Sequence, residues 1–181
     1  MISNGKDKVM SMPLLRTLAA ATVLLCGCVT QHPQNAEDFR KAVPGAFLAQ
    51  VETFEVNRSV REIGATFRAR APECLTMKVT TTSQTPGSYQ VIVAAYKPTV
   101  VVTDQRAELH LQRHFEKGVL AVTKEPEGGY YLLVADAYPI DAKRSRIEIF
   151  GPSKGHDVLT RAIMGWATGK NLGCPDLTKI G

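Results

Sequence analysis

Apolar and polar positions divide the chain into an apolar run, a polar tract, and then segments whose period changes from helix to strand and back. Leu18 to Leu25 is a short apolar core interrupted only by Thr22, and residues 29–45 (VTQHPQNAEDFRKAVPG) are polar and broken by Pro33, Pro44 and Gly45. Phe47 to Val56 places Phe47, Val51 and Phe54 among polar residues and predicts a first strand. Ser59-Val60-Arg61-Glu62 forms a capping box, in which a hydroxyl and a carboxylate satisfy backbone N–H groups that the first helical turn leaves unpaired. Val60, Ile63, Gly64, Phe67 and Ala71 follow on one helical face, and Pro72 is expected to end the helix. Arg58, Arg61, Arg68 and Arg70 fall largely off that stripe and read as a solvated face, or as a contact for anionic lipid.

From Leu75 to Phe150 the period is two. Strands are predicted over 75–82, 89–96, 107–115, 119–124, 130–138 and 146–150, separated by turn residues such as Thr85-Pro86-Gly87-Ser88 and Asp141-Ala142-Lys143. Thr99 to Thr103 is either its own strand or the far half of one bent at Pro98. The short connections argue for an antiparallel meander, because parallel neighbours need long crossovers. A last helix is predicted from about His156 to Lys170, with Val158, Leu159, Ala162, Ile163, Trp166 and Ala167 as its apolar stripe. The fold class is therefore α+β: a curved antiparallel sheet of six to seven strands, one helix after the first strand, and a C-terminal helix packed on the sheet. This order, over residues 47–172, resembles the helix-grip architecture. It departs from that family in having one helix, where two are typical, after the first strand.

The N-terminal pattern carries a second resemblance. Lys6, Lys8 and Arg16 precede the apolar run, which ends in Leu25-Cys26-Gly27-Cys28. The run is too short to cross a bilayer, which takes about 20 apolar residues, but it suits a secretory signal. The tetrapeptide resembles the lipobox of bacterial envelope lipoproteins. That resemblance implies cleavage before Cys28, lipid on its sulfur and an acylated new N-terminus. Val29 in place of Asp implies outer-membrane rather than inner-membrane retention. Three divisions follow: a signal over 1–27, a lipidated N-terminus and flexible linker over 28–45, and one domain over 46–181. Fully extended, residues 29–45 span at most roughly 55 Å, and a short helix near Glu37 to Val43 is expected to have little to pack against.

Charge and cysteine count then change meaning. The formal charge of +5 rests on 22 basic and 17 acidic residues; the signal removes three basic residues and one acidic, leaving +3. So mild a charge does not call for nucleic acid. Of the four cysteines, Cys26 leaves with the signal and Cys28 is lipidated, so Cys74 and Cys174 remain. In an oxidising compartment two such thiols are expected to pair; the alternatives are two buried free thiols or a metal pair, and no CxxC or nearby His supports metal. Each follows a helix, so a bridge requires the two helix ends to be adjacent, with Cα atoms within about 7 Å.

The remaining chemistry is sparse. On a helix, which Ala107, Leu111 and Phe115 also fit, His110 and His114 would share a face and suit zinc. On the strand that the alternation favours they lie about 13 Å apart and cannot share an ion. No GxSxG elbow organises the Ser, His and Asp residues. Gly151 to Gly155 lacks the spacing of a phosphate loop, and Asp136 and Asp141 read as turn residues. No metal or cofactor is expected. The leading expectation is a non-enzymatic, lipid-anchored module that binds a protein partner or supports an assembly on the periplasmic side. The alternative is a carrier or sensor of a small apolar ligand, with Ile163 and Trp166 lining a cavity between sheet and last helix. A hydrolase is the remote third and needs His110, His114 or His156 beside a carboxylate and a nucleophile in one cleft.

Overall fold

The computed structural model describes residues 32–116 and 125–179. The signal, Cys28 and the strand expected over 119–124 lie outside the described residues. The elements run α1 (Ala36–Ala42), β1 (Ala49–Val56), α2 (Val60–Leu75), β2 (Met77–Thr85), β3 (Ser88–Val102), β4 (Ala107–Phe115), β5 (Tyr130–Pro139), β6 (Ser145–Pro152) and α3 (Asp157–Thr168). The six strands form one sheet in the order β1-β6-β5-β4-β3-β2, and every neighbouring pair is antiparallel. This is the expected α+β class, with a helix after the first strand and a C-terminal helix. Only the β1–β6 pairing is non-sequential, and α2 carries the chain from one sheet edge to the other.

Strand boundaries differ from expectation at three places. The strand expected over 75–82 runs from Met77 to Thr85, because Leu75 is taken into the last turn of α2. Thr99 to Val102 continues β3 through Pro98, which stands opposite Leu111. The β2 pairing of β3 stops at Met77–Tyr96, so Pro98 lies where β3 has no β2 residue beside it and a missing N–H is tolerated. Phe47 does not join β1, which begins at Ala49; its side chain is 93% exposed.

α2 and α3 cover one face of the sheet. The capping box forms as the sequence predicts: Glu62 N donates to Ser59 Oγ (3.3 Å), and Ser59 N donates to Glu62 Oε2 (2.8 Å). Val60, Ile63, Gly64, Phe67 and Ala71 are buried as expected, but Pro72 does not end the helix. One more turn follows because Cys74 and Leu75 are buried there, and that burial outweighs the hydrogen bond lost at proline. Across from them lie Leu109, Leu111, Leu133 and Ile147, with Leu159, Ile163 and Trp166 of α3, all at most 1% exposed. Gly169, with φ +80°, caps α3 in the left-handed region, and Lys170 N donates to Gly165 O (2.8 Å).

Gly64 sets how closely α2 approaches the sheet. A Cβ there would lie 2.7 and 2.8 Å from the Val102 γ-carbons and 3.3 Å from Ala107 Cβ. Val102 is β-branched and stiff about χ1, so Gly64→Ala is expected to destabilise by roughly 1–2 kcal/mol. Overpacking costs about 1–3 kcal/mol, offset by alanine's helix propensity of up to about 1 kcal/mol. A denaturant melt of the protein measures it, and a gain in stability would contradict the packing account.

Two arginines expected on a solvated face prove to be structural. Arg58 Nη1 donates to Trp166 O (2.8 Å) and Ala167 O (3.2 Å), the last carbonyls of α3, while Nη2 donates to Glu62 O and Thr66 Oγ1. A cation at a helix C-terminus opposes the macrodipole and satisfies orphan carbonyls. Arg70 pairs with Glu73 at 2.9 Å and bonds Asn171 beyond α3. These contacts hold the exits of the two helices together. There Cys74 and Cys174 meet at bonding distance, with Cα atoms 4.9 Å apart.

The other face of the sheet carries α1. A short helix near Glu37 to Val43 was expected to have little to pack against, and that is corrected. Ala36, Phe39 and Val43 are buried with Val134 and Phe150 in a second apolar cluster, and the Phe39 ring lies 5.9 Å from Tyr131. Asn35 caps α1 by accepting from Asp38 N (2.9 Å). Three apolar residues spaced along a mostly polar segment are enough to seat two turns of helix, because β5 and β6 supply the complementary surface.

Candidate functional site

Beneath α1 lies a cluster of charges drawn from three elements. The alternation of β4 turns Ala107, Leu109 and Leu111 to the core and Glu108, His110 and Gln112 to the α1 face. β5 places Asp136 beside Glu108 on that face. Arg40 of α1 enters between them. Its Nε and Nη2 bond the two Asp136 oxygens at 2.6 and 2.8 Å, and Nη2 also bonds Glu108 Oε2. Arg106 Nη2 lies 2.6 Å from Glu108 Oε1, and His110 Nε2 lies 3.0 Å from Glu108 Oε2. Asp136 is fully buried.

Electrostatics follow from this crowding. Burial lowers the Arg40 guanidinium, but hydrogen bonding and charge from Asp136, then from Glu108, outweigh it and hold the group well above its ordinary range. Burial raises the Glu108 carboxyl; hydrogen bonds from His110 and Arg40, with the charges of Arg40 and Arg106, outweigh it and hold the group below the carboxylate range. Both carboxylates are thus occupied by cations. A general base needs a lone pair directed at a substrate proton, and here those lone pairs face Arg40, Arg106 and His110. The cluster fastens a helix to the sheet.

The histidines of the hydrolase reading are dispersed. His110 and His114 lie on strand β4, as the alternation predicts, with separate partners: Glu108 for His110 and Glu125 for His114, the latter at 2.9 Å. His156 is buried; its Nδ1 lies 3.2 Å from Lys154 O. Burial, with the nearby Arg113 charge, outweighs that hydrogen bond and pushes His156 below its ordinary range. Among the described residues, none of the three imidazoles bonds a hydroxyl or a thiol. Asp141 is a turn residue, as expected, and accepts from the backbone N–H groups of Lys143 and Arg144. Asp136 is not: it sits in mid-strand. An acid within the apolar run Leu132 to Ala137 was the one sequence signal for a buried charge, and nothing in the sequence marked Arg40 as its partner.

Ile163 and Trp166, expected to line either a cavity or the core, are 0% and 1% exposed and lie in the core. Trp166 also borders an open groove of about 570 Å³ between α2 and the α3 exit. A larger cleft, about 860 Å³, lies at the far end of the sheet. There Arg61 and Arg68 of α2 face the β3–β4 turn at Thr103-Asp104 and the β5–β6 turn at Pro139 to Ala142. Neither arginine forms an ion pair among the described residues. The cleft is lined by these two cations and by the carboxylates of Asp104 and Asp141, beside Val60, Val102 and Pro139, a mixed charged and apolar lining suited to gripping a polypeptide segment. No protein-family model matches this chain, and no curated protein does.

Proposed function

We propose that this chain is a bacterial envelope lipoprotein, anchored through lipid on Cys28 in the outer membrane and facing the periplasm, whose domain is a non-enzymatic protein-binding module. The observation that carries the reading is Leu25-Cys26-Gly27-Cys28 at the end of a short apolar run behind a basic start. Two features of the domain support it. The buried carboxylates are occupied by cations of the protein itself, and the two unpaired arginines of the cleft lie at the end of the sheet away from where the chain enters. His32 packs on Tyr130 at the start of β5, with ring centroids 4.9 Å apart, and the cleft borders the end of the same strand, about 30 Å away at 3.3 Å per residue. A partner in the periplasm would reach it freely.

The carrier reading has less support, because Ile163 and Trp166 are packed against the sheet instead of facing a void. Cys28→Ser is expected to move the protein from the membrane to the soluble fraction on fractionation. Retention of the variant in the membrane would count against the anchor. For the module, a photocrosslinker at Arg61 in the native envelope is expected to capture a protein that one at Thr53, on the α1 face of the sheet, does not.

A further inference from the structure

We propose that the domain sits directly against the bilayer that holds its lipid, with Phe47 and Leu48 inserted at the membrane interface. This rests on the lipid at Cys28. The docking of α1 shortens the leash. A free linker to residue 45 would let the domain stand tens of ångströms away, but among the described residues His32 already packs on Tyr130, and α1 is locked by Arg40. Four residue steps separate Cys28 from His32, a reach of at most about 14 Å at 3.3–3.6 Å each.

Register identifies the end of the domain held there. β5 begins at Tyr130, β6 ends at Pro152 opposite Ala49, and β1 begins at Ala49. Antiparallel pairing sets these three strand ends on one rim, with β1 two strands, about 10 Å, from β5. Immediately before β1 stand Phe47, 93% exposed, and Leu48, 49% exposed, with Leu48 O accepting from Ser153 N at 2.9 Å. Leu48 has φ +59°, a left-handed conformation that no other non-glycine among the described residues adopts. Leucine is disfavoured there, and such strain persists where it has a use. Here it holds two large apolar side chains out from the rim where the chain emerges towards its anchor. Aromatic and leucine side chains so placed suit the boundary between headgroups and acyl chains.

The test uses the full acylated protein in vesicles of phosphatidylethanolamine and phosphatidylglycerol, with Phe47→Trp and, as a control at the far end, Lys143→Trp. Both positions are exposed, so neither substitution disturbs the core. Brominated lipids are expected to quench tryptophan at position 47 severalfold more than at position 143. Leu48→Gly, which relieves the left-handed strain, should weaken that quenching while leaving the thermal midpoint of the soluble Cys28→Ser form unchanged or higher. Equal quenching at both positions in protein that floats with vesicles and carries acyl chains on Cys28 would overturn the apposition while leaving the anchor intact. Position 47 shielded by a second copy or another protein, seen as an unquenched but crosslinkable tryptophan site, would overturn it too. Failure to float, with no acyl group on Cys28 by mass spectrometry, would overturn both.

Discussion

Arg40→Met is expected to destabilise the domain by about 3–5 kcal/mol, the range for removing one partner of a buried ion pair. Methionine keeps much of the side-chain volume, so the loss comes from Asp136 and Glu108, buried and left without their shared cation. α1 should loosen as well, since only the apolar contacts of Ala36, Phe39 and Val43 and the Tyr131–Ala36 hydrogen bond then remain among its described ties to the sheet. Amide exchange over 36–43 is expected to become fast while the strands stay protected. Removing the opposing charge, as in Arg40→Met with Asp136→Asn, should recover part of the loss.

The pH dependence has a definite sign. In the wild type, Glu108 has a folded value below its unfolded one of about 4.3. Its contribution is therefore complete above that pH and is lost as the pH falls through the folded value. In Arg40→Met, Glu108 keeps Arg106 and His110 but loses the hydrogen bond and charge of Arg40 that help to offset its burial, so its value rises relative to the wild type and its pH-dependent contribution shrinks. The gap between variant and wild type should be widest at neutral pH and narrow towards pH 4. A gap that widened on acidification would contradict the assignment of the loss to buried negative charge.

Loss of the Cys74–Cys174 bridge is the second large effect. It closes a sequence separation of 100 residues, for which chain entropy gives about 4.7 kcal/mol and experience about 2–4 kcal/mol. Cys174 is exposed, so Cys174→Ser removes the cross-link without opening a cavity. Guanidinium unfolding of the soluble domain should show the midpoint of the wild type falling on reduction to that of the variant. The variant should not respond to reductant. Identical midpoints for oxidised and reduced wild type would mean that the bridge does not contribute.

Much of the fold is legible in local pattern. The capping box, the Val60 to Ala71 stripe and the alternation of β4 are each decided within a few residues, because backbone geometry repeats every 3.6 or 2 positions. The cysteine pair is legible for another reason: Cys74 and Cys174 each follow a helix that the sequence predicts. Errors arose where a local preference met a distant surface. Pro72 disfavours a helix locally, yet Cys74 and Leu75 extend it by burial against elements far along the chain. Residues 36–45 read as linker because their three apolar side chains are too few to mark a core element. Val134, Phe150 and Tyr131, about a hundred residues later, complete their packing. Arg58 read as solvated because its acceptors are the carbonyls of Trp166 and Ala167.

The amino-acid sequence by itself therefore determined α2 and α3, most of the alternating strands and the α+β class, and marked Cys74 and Cys174 as a pair at two helix exits. All of these follow from periodicity, capping chemistry and residue count, which act over short distances or need no geometry. Only the tertiary structure decided that α1 is docked, that Arg40 joins Asp136 and Glu108, and that Phe47 and Leu48 stand beside the point where the chain enters. Those relations join residues tens of positions apart or set by strand register. Their energy comes from removing charge and apolar surface from water together, which no local pattern encodes.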